Sequence, residues 1–155
     1  MVRVASSSTA TGRLKVAEDR LRVSAVALLD HEGRVLVARR PIGKSHARRW
    51  EFPGGKIMPG ETASAAAARE LKEELGVAIS EERLEFAMNV QHVYDTQEVE
   101  LSFFICREFA GTSQSLEGQD LLWIEPTKLS SLDLLEANRS FVRFVTMTAE
   151  HQDKD

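Results

Sequence analysis

The chain has 155 residues, 43% hydrophobic and 28% charged, which suits one globular domain with its own core and excludes a disordered chain. Its net charge of −4 gives no bulk attraction to a nucleic-acid polymer or a membrane surface. No apolar run approaches the ~20 residues of a membrane helix, and one cysteine, Cys106, excludes an internal disulfide.

Residues 1–20, MVRVASSSTATGRLKVAEDR, lack the apolar core of a secretory signal. They are rich in Ser, Thr and Ala and carry no acid before Glu18, a faint likeness to a transit peptide; a flexible leader is the simpler reading. A soluble cytoplasmic location is expected. LRVSAVALLD and RVLVARR are apolar and β-branched and flank DHEG, which has turn composition, so they predict a hairpin. A basic loop follows, RRPIGKSHARRW, with Arg39, Arg40, Lys44, Arg48 and Arg49. Next come a Gly- and Pro-rich loop, PGGKIMPGE, and a helix from Ala63 to Leu75, with Thr62 as N-cap and Gly76 closing it. Helical spacing puts Ser64, Ala67, Ala68, Leu71 and Leu75 on the face that packs. RLEFAMNVQHVYD and EVELSFFICREF predict two strands joined around DTQE, with Cys106 a buried structural thiol. LLWIEP is a short strand ended by Pro126. EANRSFVRFVTMTAEH predicts a final helix with Phe141, Val142, Val145 and Met147 on its apolar side. The order implies a layered α/β or α+β domain over residues 21–148, followed by a polar tail, 149–155.

The informative feature is acidic. Glu70, Glu73 and Glu74 crowd an arc of about 100° at the C-terminal end of the first helix. Glu70 and Glu74 repel at i,i+4 spacing, which costs roughly 0.2–0.5 kcal/mol, and both oppose the helix dipole. A solvated acidic face is the usual explanation of such a cluster. Here it borders the packed face, follows a glycine-rich loop and has a fourth carboxylate, Glu61, at the helix start. Clustered carboxylates form a hard oxygen site suited to Mg²⁺ or Mn²⁺, which turns repulsion into coordination. His31, His46, His92 and His151 are scattered without ligand spacing, and no Ser–His or Cys–His pair is suggested.

Gly55, Glu61, Arg69-Glu70-Leu71, Glu73-Glu74 and Gly76-Val77 fix nine positions over 23 residues and match the Nudix box without a departure. The chain resembles that family from about Leu21 to Phe144. The resemblance implies an α/β/α sandwich with a mixed central sheet and Mg²⁺-dependent hydrolysis of a nucleoside diphosphate linked to another group. It implies that Glu70, Glu73 and Glu74 ligate the metal with the Gly54 carbonyl, that Glu73 and Glu74 serve the reaction, and that Arg69 orients them. Arg40 and Lys56 are the basic residues expected at the substrate.

Three further stretches resemble the MutT group of the family, which cleanses oxidised guanine nucleotides. RRWEFPGGKI places Phe52 at the base pocket. LEGQDLLW supplies Glu117 as a further metal ligand or base, with Glu98 and Glu100 as rivals. LLEANRSFVRF supplies Asn138, whose amide can read a purine edge, although an asparagine there also suits a helix N-cap. MutT has a proline before its Ala-Asn pair where this chain has Glu136, which brings a carboxylate toward the expected pocket. The resulting expectation is an Mg²⁺-dependent pyrophosphohydrolase converting 8-oxo-dGTP to the monophosphate and pyrophosphate, as a monomer or homodimer. The alternatives are another nucleotide such as CTP, a dinucleotide or an ADP-sugar, or a non-catalytic binding module; the intact box argues against the last.

Overall fold

The computed structural model describes residues 20–153, so the expected leader, apart from Arg20, lies outside them. The strands are β1 (Leu21–Leu28), β2 (Val35–Arg39), β3 (Trp50–Glu51), β4 (Gly54–Lys56), β5 (Glu85–Tyr94), β6 (Gln97–Cys106) and β7 (Asp120–Ile124). The helices are α1 (Ala63–Leu75) and α2 (Glu136–Asp153), with short 3-10 turns at Glu81–Arg83 and Pro126–Ser131. Helix α2 thus continues past residue 148, and Ala149 within it is buried.

One sheet has the order β4-β1-β6-β5 and the other β3-β2-β7. The first is mixed: β1 runs parallel to β6 and antiparallel to β4, and β5 antiparallel to β6. β5 and β6 form the expected hairpin, turning at Asp95 and Thr96, with Asp95 at φ 55. The expected hairpin of β1 and β2 does not form. Only a bridge from Leu29 to Val35 joins them, and the strands part into different sheets. The reason is burial on both faces: Ala25–Leu28 and Val35–Ala38 are all buried. A two-stranded ribbon covers one face at most, so each strand takes neighbours on both edges instead.

Two cores result, one under each helix. Ala25, Ala27, Phe103 and Ile105 pack with Phe141 and Val145 of α2. Val26, Leu28, Phe104 and Cys106 pack with Ala67, Leu71 and Leu75 of α1. The alternation along β1 and β6 sends successive side chains to opposite helices, which is the α/β/α layering that the family resemblance implies. Cys106 is buried as expected.

Helix α1 begins at its cap, where Thr62 Oγ1 accepts the Ala65 N–H at 3.1 Å, and ends at Gly76, whose φ of 72 an L-residue adopts reluctantly. Its packed face differs from expectation. Ala66 joins Ala67, Leu71 and Leu75 in the core, while Ser64 and Ala68 are only part-buried. The helix is thereby turned toward Glu70 and Glu74. The glycines of β4 permit this: a Cβ on Gly55 would lie 2.2 Å from the Glu70 carboxyl carbon. In α2, Phe141 and Val145 are buried as expected, but Met147 is 56% exposed and lies off the stripe. Asn138 is not the N-cap; the helix starts earlier, at Glu136. The Leu135 N–H, paired to the Trp50 carbonyl at 2.9 Å, fixes the chain ahead of it.

The closest backbone approach is at Gly54, where an added Cβ would lie 1.9 Å from the Ser24 carbonyl oxygen. Gly54→Ala must therefore spread β1 from β4. A loss of about 1–3 kcal/mol in unfolding free energy is expected, read as a lowered urea midpoint; an unchanged midpoint would contradict the close pairing.

Candidate active site

The strand β4, the second half of α1 and the loop before β7 enclose a cavity of about 650 Å³. Gly54, Gly55, Lys56, Glu70, Glu74, Glu117 and Asn138 line it, with Arg40, Glu51 and Phe52 from the second sheet. Residues distant in the chain thus meet as the family motif implies, with some exceptions.

Glu73 is the main one. Its side chain is 56% exposed and lies off the cavity, against 16% for Glu70. One helical position, about 100°, separates a carboxylate facing inward from one at the rim. Glu100 pairs with Arg20 and Arg22, and neither it nor Glu98 lines the cavity, so of these three acids Glu117 is the one that does. Glu136 is exposed and turns to His92, 3.7 Å away, rather than entering the cavity. The histidines are less scattered than the sequence suggests, since His46 and His92 flank the Tyr94 ring at 4.9 and 4.4 Å.

Arg69 organises the motif. Its guanidinium donates to Glu61 at 2.6 and 2.9 Å, to Glu70 at 2.8 Å, to Glu73 at 3.3 Å and to the Lys56 carbonyl at 2.9 Å. Glu61 also accepts the Met58 N–H at 2.9 Å, and these bonds, that of Arg69 first, hold its carboxyl down to about 2. The planar fork of Arg69 therefore ties the loop before the helix to the helix itself.

Glu74 has no such partner. Burial, then the charges of Glu70, Glu117 and Glu51, pushes its carboxyl up to about 9, partly offset by a Gly54 backbone hydrogen bond. Like charges in a partly dry site cannot all ionise without a cation. Among the described residues no three acidic, His or Cys side chains already converge as a closed ligand set. The carboxylates share the cavity wall, and Arg69 still holds one Glu70 oxygen. The donors fit a hard divalent ion by chemistry and by the charge the cavity lacks; Glu70, Glu74 and Glu117 would hold it.

Two residues of the site escape the sequence reading. Glu51 is a half-buried carboxylate whose pKa is raised by loss of solvent, against the opposing charge and hydrogen bond of Arg40. Arg40 meets it at 3.1 Å and also donates to the Ser45 carbonyl and hydroxyl. Strand alternation held the signal: with Phe52 in the core, Glu51 must point the other way. Gln119 is buried and gives the Glu117 loop its shape. Its Oε1 accepts the Glu117 N–H at 2.9 Å, and its Nε2 donates to the Glu74 carbonyl at 3.2 Å. No local pattern marks an amide for that task.

At the far side, the Phe52 ring is buried against Phe103 and Phe141, while its N–H donates to Asn138 Oδ1 at 2.9 Å. Asn138 is 3% exposed, and its Nδ2 has no partner among the described residues. The amide therefore offers its donors to the cavity. Lys56 and Lys44 also line it, and neither makes an ion pair among the described residues.

Comparison with known proteins agrees with this arrangement. The NUDIX domain model matches residues 18–145. An 8-oxo-dGTP diphosphatase of Buchnera aphidicola is 34% identical over 100 residues, covering 64% of this chain and 79% of that protein. A CTP pyrophosphohydrolase of Escherichia coli is 33% identical over 112 residues, covering 72% and 82%. A MutT structure, from work on the Aliivibrio salmonicida and Vibrio cholerae proteins, superposes with a TM-score of 0.71 at 27% identity, covering 83% of this chain and 98% of that one. With the box complete, Glu70 and Glu74 of it on one cavity and the domain matched over most of its length, the chain belongs to the NUDIX family as a MutT-like hydrolase of phosphoric anhydride bonds.

Proposed function

We propose that the protein is an Mg²⁺-dependent nucleoside triphosphate pyrophosphohydrolase that converts 8-oxo-dGTP and water to 8-oxo-dGMP and pyrophosphate, cleansing the nucleotide pool of the cytoplasm. One observation carries the reading: the cavity with Glu70, Glu74 and Glu117 on one wall also contains the Asn138 amide. Phosphate chemistry and base selection then share one enclosed space. The ion, when bound, neutralises phosphate oxygens and polarises a water. Glu70, Glu74 and Glu117 would hold it, with Gly54 offering its carbonyl. Glu73 at the rim supports Arg69, which keeps Glu70 aimed inward. Arg40 and Lys56 would meet the phosphates, and Glu117, where it does not ligate the ion, would take a proton from water. Asn138 Nδ2 donates to an acceptor on the base, and Phe52 stiffens that wall.

The E. coli relative that is a CTP pyrophosphohydrolase favours a second reading, in which a pyrimidine triphosphate is the substrate. A nucleotide panel with Mg²⁺, scored by mass spectrometry, separates them. Preference for 8-oxo-dGTP over dGTP and CTP supports the first; preference for CTP overturns it in favour of the second.

Two substitutions sharpen the test. Glu74→Gln keeps shape and helix propensity and should lower kcat at least about 100-fold with the circular dichroism spectrum unchanged; retained turnover sinks the metal role. Asn138→Ala removes a donor pair from a buried edge and should lower kcat/KM for 8-oxo-dGTP roughly 10–100-fold while dGTP hydrolysis changes little. It also strands the Phe52 N–H, so a loss of about 1–3 kcal/mol in stability is expected beside it. Equal loss for both nucleotides counts against base selection by Asn138.

A further inference from the structure

The geometry points to Tyr94 as a positioning residue for base selection, whose hydroxyl holds the first turn of α2 so that the Asn138 amide faces the cavity. The inference rests on the reading of Asn138 as the base-contacting side chain.

The first N–H groups of a helix have no partner within it, and a Ser, Thr, Asp or Asn just before the helix usually supplies one. Here that position is Leu135, which is apolar and buried. The deficit is met from another element: the Ala137 N–H donates to Tyr94 Oη at 2.8 Å, across 43 residues of chain. The next residue is Asn138, whose N–H goes to the Leu135 carbonyl at 2.9 Å and whose Oδ1 accepts from Phe52. The Asn138 amide is thus set by two anchors, Phe52 on its side chain and Tyr94 through the adjoining peptide.

Tyr94 is itself fixed. The ring of His92, two residues earlier on β5, lies tilted at 60° against it with centroids 4.4 Å apart. That of His46, from the loop whose Lys44 and Ser45 line the cavity, is also tilted against it, at 4.9 Å. The ring therefore joins β5, the loop between β2 and β3, and the start of α2. A phenylalanine would keep both ring contacts and lose only the acceptor for the Ala137 N–H. The first turn of α2 could then shift, and with it the direction of the Asn138 donors.

The test is a cycle of Tyr94→Phe, Asn138→Ala and the double variant in the full chain. Each is assayed with Mg²⁺ on 8-oxo-dGTP, dGTP and CTP, with melting temperature measured alongside. In Tyr94→Phe, selectivity between the best and worst nucleotide should fall about tenfold, through KM rather than kcat. Adding the change to Asn138→Ala should lower selectivity no further, because Tyr94 acts through Asn138. Full selectivity in Tyr94→Phe, with selectivity lost in Asn138→Ala, overturns the role of Tyr94 and leaves the base reading standing. Full selectivity in both overturns the base reading and this inference with it. A lowered melting temperature with equal loss on every nucleotide makes Tyr94 structural alone and also overturns it.

Discussion

The carboxyl of Glu74 lies in a partly dry cavity beside those of Glu70, Glu117 and Glu51, and much of the surrounding structure serves to keep these four together against their repulsion. No single element could do so. Glu70 and Glu74 come from α1, Glu117 from the loop before β7, and Glu51 from the second sheet. Three devices hold them. The Arg69 fork fixes Glu70 to Glu61 of the preceding loop and to the end of β4. Gly55 leaves the space that the Glu70 carboxyl fills. Gln119 binds the Glu117 loop to the last turn of α1, where the Leu116 N–H also donates to the Glu74 carbonyl. That last arrangement satisfies helix carbonyls which otherwise have no partner, so the cap of the helix and the placement of Glu117 are one structure.

The same layering divides the cavity by task. Glu70 and Glu74 belong to α1, which covers one side of the first sheet. Asn138 belongs to α2, on the opposite side, and reaches the cavity past Phe52, where the chain crosses from β3 to β4. The short glycine strand β4 lies between them, close enough to β1 that a side chain at Gly54 would meet the Ser24 carbonyl. A thin wall there brings the two halves within reach of one small molecule.

Local signals in the sequence were strong where chemistry is local. The cap at Thr62, the stop at Gly76 and the acidic arc depend on spacing along one helix, and each is legible. The hairpin of β1 and β2 was misread because the DHEG turn is real while the partners of each strand lie far along the chain; β1 pairs with β6, some 80 residues on. Glu73 was grouped with Glu70 and Glu74 because an arc cannot show where the cavity lies relative to it. The rotation of α1 is set by the glycines it packs on. Asn138 suits a cap because asparagine is a favoured N-cap residue, but the helix starts before it and the acceptor at that start is a phenol 43 residues away, which no local pattern encodes. What sequence could not supply was long-range pairing, and the finer placement of the site depends on it.

A divalent ion bound by the carboxylates of this cavity is what the proposed chemistry requires. The most direct measurement is a Mn²⁺ titration followed by electron paramagnetic resonance, in which the free ion gives the signal and the bound ion does not. The account predicts that the unmodified protein removes free Mn²⁺ from solution saturably, that Mg²⁺ competes, and that Glu70→Gln with Glu74→Gln abolishes the uptake while the fold is kept. Undiminished free signal with the unmodified protein, or equal uptake by the double variant, would contradict it.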